Sequence, residues 1–243
     1  MHLVLIQAFA ETASFRLPET HTFHKTLPLP SYTSCIGLLG AALGFGLEES
    51  QRFVEDNRVC VGVGGRDRGT FKDLWKYHKV KSGEVISDVL LREYVVDLSL
   101  ALVYGTEDNA MAQRIARGFN DPVYALTAGH SDSLLVLYSV ELIETDWEPL
   151  ESVYFCAVPH DMTGAYQADK SVLDLPLTES IRAPQVLNLP VRFSFEGERR
   201  TIVGREFFTY IGHPIQAKES IGGFRLSSQV LGPDYDQITL VPR

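Results

Sequence analysis

The succession of hydrophobic patterns along this 243-residue chain predicts an α+β fold: a βαββαβ domain with a hairpin insertion, then a smaller antiparallel β region. Three observations predict it. Strand-like runs at 1–9, 59–63, 89–104 and 134–143 enclose helical spacing between the first and second and again between the third and fourth. A polar, basic stretch from 66 to 81 stands between the second and third runs. From 146 onward, short β-rich runs among recurring prolines replace helical spacing. Residues 1–145 therefore read as one domain of ferredoxin-like or RRM-like order, with the insertion at about 65–92, and 146–243 as a β-rich region joined to it.

Each element has a local reason. Residues 1–9 are rich in Leu, Val and Ile and alternate weakly, as a strand does. Pro18, Pro28 and Pro30 mark 18–30 as a loop. Ser31 follows as a helix N-cap, with Ile36, Leu39, Leu43 and Leu47 at helical spacing behind it. Gly37, Gly40 and Gly44 would each cost an isolated helix about 1 kcal/mol, so they imply close approach to a sheet or another backbone. Val59 to Val63 is a strand, and Gly62, Gly64, Gly65 and Gly69 read as a turn leading into a hairpin. Val89 to Tyr104 is the next strand. Glu107 to Arg117 is a short helix started by Thr106 and stopped by Gly118, and Leu134 to Ile143 is a buried strand. Further short β runs lie at 152–157, 186–195, 199–203 and 206–211.

Composition narrows the function. Asp and Glu outnumber Lys and Arg by 31 to 22, and a net charge of −9 argues against indiscriminate nucleic-acid binding. No apolar run reaches the roughly 18 residues of a membrane span, and no basic leader precedes the first run. A cytoplasmic location without membrane contact is the expectation. Cys35, Cys60 and Cys156 lie far apart without zinc spacing and read as buried thiols. GxxxxGK[ST], HExxH and GxSxG are absent, and Asp67 breaks a dinucleotide pattern in the glycine cluster. His21 and His24 lack the further ligands a metal needs. Neither cofactor nor metal is implied.

The stretch from 66 to 81 points to a ligand. Arg66, Arg68, Lys72, Lys76, Lys79 and Lys81 are opposed only by Asp67 and Asp73, with Phe71, Trp75 and Tyr77 interleaved. Cations neutralise phosphates, and a ring stacks an unpaired base for about 1–3 kcal/mol, so the pattern suits single-stranded RNA. A solvated surface hairpin has the same composition. The aromatic strand signature of RNA-reading RRM sheets is absent, which leaves loops, the hairpin and helix starts as RNA contacts. Tyr77, His78 and Lys79 also supply the groups of a metal-independent ribonuclease: proton donor, general acid or base, and stabiliser of phosphorane charge. Strand alternation would divide them between two faces. His24 with Lys25 is a second candidate pair.

The segment FHKTLPLPSYTSCIGLLGAALG, 23–44, resembles the first helix region of the CRISPR-associated Cas-five family, in which a proline and a small hydroxyl residue precede a GLLGA-type segment. Here these are Pro30 and Ser31, then Tyr32 and the run from Ile36 to Leu43. REYVVDLSLALVY, 92–104, is similar to the family strand after the hairpin insertion. NDPVYALTAGHSDSLL, 120–135, is similar to a segment ending in Gly, a basic residue and Ser, with His130 where Arg or Lys is usual. The resemblance covers 1–145. It implies an RRM-like domain with a β-hairpin thumb. It also implies a non-catalytic type I Cascade subunit that caps the 5′ handle of CRISPR RNA, contacts the backbone and large subunits, and meets target DNA indirectly. On that basis Arg66, Arg68, Lys72, Trp75, Lys76, Lys79 and Lys81 of the thumb would bind RNA. Lys25, Ser31, Tyr32 and Ser34, at the loop and helix start, would cradle handle phosphates. One branch of the family cuts repeat RNA without metal, which keeps Tyr77, His78 and Lys79 as the alternative. Gly222-Gly223 with Arg225 would be a glycine-rich loop of the family or a β-turn.

Overall fold

The computed structural model describes residues 1–20, 23–81, 83–169, 182–197, 199–232 and 235–243. Fifteen strands and three helices among the described residues make a mostly antiparallel α+β fold. At its centre lies β1 (His2–Ala13), paired antiparallel with β7 (Glu84–Thr106) on one side and β8 (Val136–Glu144) on the other. β5 (Cys60–Arg66) pairs with β7. β10 (Cys156–Val158), β13 (Arg199–Ile211) and β12 (Gln185–Glu196) extend the path, which runs β12-β13-β10-β5-β7-β1-β8 in a nine-stranded sheet. Strands from both sides of residue 145 thus share one sheet.

The sheet is covered on both faces. On one, Val4, Ile6 and Ala8 of β1 and Leu98, Leu100 and Leu102 of β7 pack with Leu39, Ile115 and Phe119. Those three come from α1 (Tyr32–Leu43) and α3 (Asn109–Asn120). On the other, Leu3, Leu5, Ala101 and Val103 meet Phe224, Leu226, Ile238 and Leu240. These belong to a second sheet of β9 (Glu148–Val153), β11 (Tyr166–Ala168), β14 (Ile215–Ser227) and β15 (Gln237–Leu240). Successive residues of one strand feed opposite cores, so β1 carries a continuous apolar run and its alternation is weak.

The helix start follows the sequence closely. Ser31 caps α1, its Oγ accepting the Ser34 N–H at 3.2 Å. Two of the three glycines have a separate use, and the third has none. Gly44 ends α1 with φ 79°, a left-handed cap. A Cβ on Gly40 would collide with the Ser50 side chain of α2 (Leu47–Asp56), while Gly37 has nothing within 4 Å. The close approach is therefore to a neighbouring helix, and Leu47 belongs to that second helix and is 54% exposed.

Other expectations are corrected. Gly62, Gly64 and Gly65 lie inside β5 and form no turn. A Cβ on Gly62 would press on Val103 and Pro242, and one on Gly64 on Leu240 and the Phe155 carbonyl. Glycine is used there because the second sheet lies so close. α3 begins after Asp108, whose Oδ1 accepts the Ala110 N–H at 2.8 Å, and not at Thr106. It runs through Gly118 to Asn120, and at Gly118 a Cβ would meet Leu43 at 2.6 Å. That glycine serves helix packing and is no stop signal. β8 is an edge strand with Val136, Tyr138 and Leu142 exposed, not a buried one. Gly222 and Gly223 sit within β14 and form neither loop nor turn; a Cβ on Gly223 would meet Leu150 and the Leu240 carbonyl at 2.6 Å. Arg225 faces Glu148 at 3.6 Å.

Cys35 and Cys156 are buried, and burial pushes each thiol up to about 12. Burial likewise raises Cys60 to about 11. None is a thiolate at neutral pH. Among the described residues no helix is long and apolar enough to cross a membrane.

Candidate nucleic-acid interface

β6 (Gly69–Lys81) folds back on the first half of β7 in unbroken register, from Gly69↔Val96 to Lys81↔Glu84. Gly83 closes the turn with φ 84°. On β7, residues 84–87 and Val89 are exposed, and burial begins at Leu90. The hairpin therefore leaves the body as an arm roughly 20 Å long, from about six residue pairs at 3.4 Å each.

Residues paired across a ladder share a face, which divides the side chains of 69–80. One face carries Phe71 stacked on Tyr94 at 5.2 Å and Trp75 stacked on Tyr77 at 5.4 Å. Lys79 lies on it too, ion-paired with Asp88, which also accepts the Tyr77 hydroxyl at 3.3 Å. That pairing lowers the Asp88 carboxyl and raises the Lys79 ammonium. The opposite face carries Lys72, Lys76 and His78 with Leu74, Val80, Val85 and Val89. Of the ribonuclease trio, Tyr77 and Lys79 thus share a face and an acid, while His78 stands behind them opposite Ser87. Lys72 sits over the Phe23 ring at 5.3 Å. Lys81 is in the last pair before the turn.

Arg66 and Arg68 belong to the foot of the arm. Both line a cleft of about 770 Å³ with Lys25, Arg182, Asp67, Glu93 and Asp97. Arg66 donates to the Leu231 carbonyl at 3.1 Å and lies 5.4 Å from the Phe155 ring centroid. Arg182 grips Asp67 with two hydrogen bonds, at 2.9 and 2.6 Å. Arg68 reaches Asp97 at 3.7 Å but is 83% exposed. Ser31 and Ser34 open instead on a second groove, of about 390 Å³, flanked by Arg16 and Arg200. Tyr32 is buried beneath the Arg243 guanidinium, 4.5 Å from its ring, and offers little surface to a ligand. The expected RNA contacts are thus spread over an arm, a cleft and a groove.

Sequence reasoning does not single out two groups at the root of the arm as ligands. Arg92 lies under Trp75, 4.2 Å from the ring centroid, and donates to the Tyr94 hydroxyl at 3.0 Å. His130 meets the edge of the same indole at 6.4 Å. The available signal is a charge at the start of an apolar strand, two places from Tyr94 and so on its face. His24, on β3 (Phe23–His24), is registered beside Arg92 in a parallel pair. His21, considered with it as a metal ligand, lies outside the described residues.

Both histidines are held below the ordinary range. Burial is the first cause for each; Arg16, Arg92 and His130 add to it for His24, and Arg92 for His130 against an opposing Asp132. A histidine with a lowered folded pKa binds fewer protons than in the unfolded chain. Its contribution to stability is therefore present above about 6.5 and lost as pH falls through that value towards the folded pKa. Imidazole NMR titrations are expected to place both midpoints below 6.5. A midpoint at or above it for either residue contradicts the arrangement at the arm's root.

A family model described as "CRISPR-associated protein (Cas_Cas5)" matches residues 3–196. No curated protein matches the chain significantly. Among solved structures, a chain of a "CRISPR RNA-guided surveillance complex" aligns over 95% of both chains with TM-score 0.55 and 15% identity. A "CRISPR protein from Archaeoglobus fulgidus" aligns over 100% of both with TM-score 0.45 and 9% identity. A "Cas protein" aligns over 54% of this chain with TM-score 0.36 and 20% identity, and the match spans only 57% of that structure. This is a CRISPR-associated protein. Because the family model takes in most of its length, the chain belongs to the Cas-five family.

Proposed function

We propose that the chain is the non-catalytic, RNA-binding subunit of a type I Cascade effector. In the cytoplasm it would cap the 5′ handle of the guide RNA and touch target DNA indirectly. The observation that carries this reading is the exposed β6–β7 arm, with Lys72 and Lys76 on one face and the Trp75–Tyr77 stack on the other. Lysines spaced along an arm suit successive phosphates, and the ring pair suits an unpaired base. The strand path β5-β7-β1-β8, with α1 and α3 packed on it, supports an RRM-like core for which this arm is the thumb. Val80 and Val85, 74% and 71% exposed, pair across the tip, and exposed Val89 and Leu74 lie further down the same face towards the root. So much apolar surface on a projecting element suits burial against the backbone or large subunit. Against a net charge of −9 for the whole chain, the basic segment at the arm and its foot stands out as the place for RNA.

Separation of His78 from Tyr77 and Lys79 favours binding over catalysis, since a general acid–base pair must reach one phosphodiester. The test is incubation of the purified protein with CRISPR repeat RNA in EDTA. Uncut RNA, retained through its 5′ handle, is the expected result. A single metal-independent cut within the repeat would instead establish the endoribonuclease alternative.

A further inference from the structure

Among the described residues Arg92 is the only buried Lys, Arg, Asp or Glu, at 1% exposure. Its charge is not matched. Among the same residues no carboxylate lies within ion-pair distance, Nε has no hydrogen-bond partner, and Nη1 donates only to the Tyr94 hydroxyl. Asp73, directly across the ladder, accepts the N–H of Leu74 at 2.8 Å instead. Glu93 points to the other face and accepts the Thr26 N–H at 3.2 Å. The groups around Arg92 do not neutralise it: His24 is registered beside it, and His130 meets the Trp75 edge above it. Asp132 is directed at His130, 3.4 Å away. A buried guanidinium without a counter-charge is costly, and the ring face over it recovers only part of that cost.

The cover over this charge is thin. Trp75 is itself 38% exposed and belongs to the projecting strand, not to the core. An anion arriving at the foot of the arm therefore meets a planar fork of donors beneath one partly exposed indole. We propose that Arg92, rimmed by His24 and His130, is a phosphodiester site for single-stranded RNA, with Trp75 as its displaceable cover. A phosphate takes the guanidinium, and the displaced indole stacks on the adjoining base. The inference rests on the reading of the arm as an RNA-binding element.

The test uses a single-stranded oligouridylate of about eight nucleotides, the length such surfaces hold. With Trp147→Phe, Trp75 is the only tryptophan left in a chain that has two. Its emission is expected to change saturably with the oligonucleotide. Arg92→Met is expected to weaken binding at least about tenfold, as removal of a charge-assisted hydrogen bond does, and to flatten the salt dependence by about 0.7 in log–log slope. It should leave Tm equal or higher, because the charge it removes is uncompensated. An unmoved Trp75 emission at saturation overturns the proposal even if Arg92→Met fails to fold. Unaltered affinity and salt slope in Arg92→Met overturn it too. If Lys72→Glu with Lys76→Glu weakens binding while Arg92→Met does not, the RNA-binding reading stands and the Arg92 site falls. Absence of all RNA binding removes both. Inorganic phosphate is the control ligand: if it saturates the Trp75 response at equal concentration, the site is one for free phosphate and the RNA assignment is wrong.

Discussion

Reversal of Arg68, Lys72 and Lys76 together to Glu is expected to weaken repeat-RNA binding by roughly two orders of magnitude at moderate salt and to leave Tm unchanged. These are the cations that the arm and its foot hold towards solvent. Lys72 and Lys76 share one face of β6. Arg68 is 83% exposed, and its 3.7 Å approach to Asp97 is the kind of surface pair that contributes little to stability. Each phosphate of a single strand that is no longer neutralised should flatten the log–log salt slope by about 0.7, so the slope of the triple variant should fall by about 2. Arg66 is left intact on purpose. It is seated against Phe155 and bonded to Leu231, and its replacement would mix folding with binding. Fluorescence anisotropy at several salt concentrations checks the result. Unaltered affinity and slope would mean that the arm is not where RNA binds.

Gly129→Ala is expected to destabilise the protein by about 3 kcal/mol or more, a fall in Tm of roughly 10 °C. Gly129 has φ 88°, in the left-handed region where a side chain costs about 1–2 kcal/mol. A Cβ there would also drive into the Ser14 carbonyl and stand 3.0 Å from the Phe15 ring. The obstacle is backbone, held by the Ser14 N–H bonded to the Ala128 carbonyl at 3.0 Å, so relief requires β1 and the loop to part. His130 follows directly and would move with it. Gly37→Ala is the contrast, because nothing lies within 4 Å and the residue is inside α1. It should be neutral or stabilising, by up to about 1 kcal/mol. Thermal melts of the two variants separate the cases, and equal melting of Gly129→Ala and the parent would contradict the loop geometry.

The succession β1, α1, β5, hairpin, α3 and β8 was legible because it rests on local signals. The Pro30–Ser31 helix start, the apolar run of β1 and the basic insertion are all written in adjacent residues. What was not legible depends on neighbours distant in sequence. Gly62 and Gly64 look like turn residues, yet they are strand residues, with Pro242 closing on the first and Leu240 and the Phe155 carbonyl on the second. Gly118 looks like a helix stop, yet it admits Leu43 of another helix. α2 escaped notice because only Phe53 and Val54 of its ten residues present large apolar side chains to the core. At the candidate interface, composition singled out 66–81 for proposal but could not divide it between faces. Register alone puts Lys72 and Lys76 behind the aromatic stack and sends Arg66 into a cleft with Arg182, more than a hundred residues later. Arg92 stayed hidden because a charge in a strand signals nothing until its missing partner is seen in three dimensions.

The central claim, that the arm grips the 5′ handle of a guide RNA, is tested most directly by a nuclease footprint on end-labelled CRISPR repeat RNA bound to the protein. The expected result is protection confined to the 5′ handle, abolished when Arg68, Lys72 and Lys76 are reversed. Protection elsewhere in the repeat, or a handle footprint indifferent to those three substitutions, would contradict it.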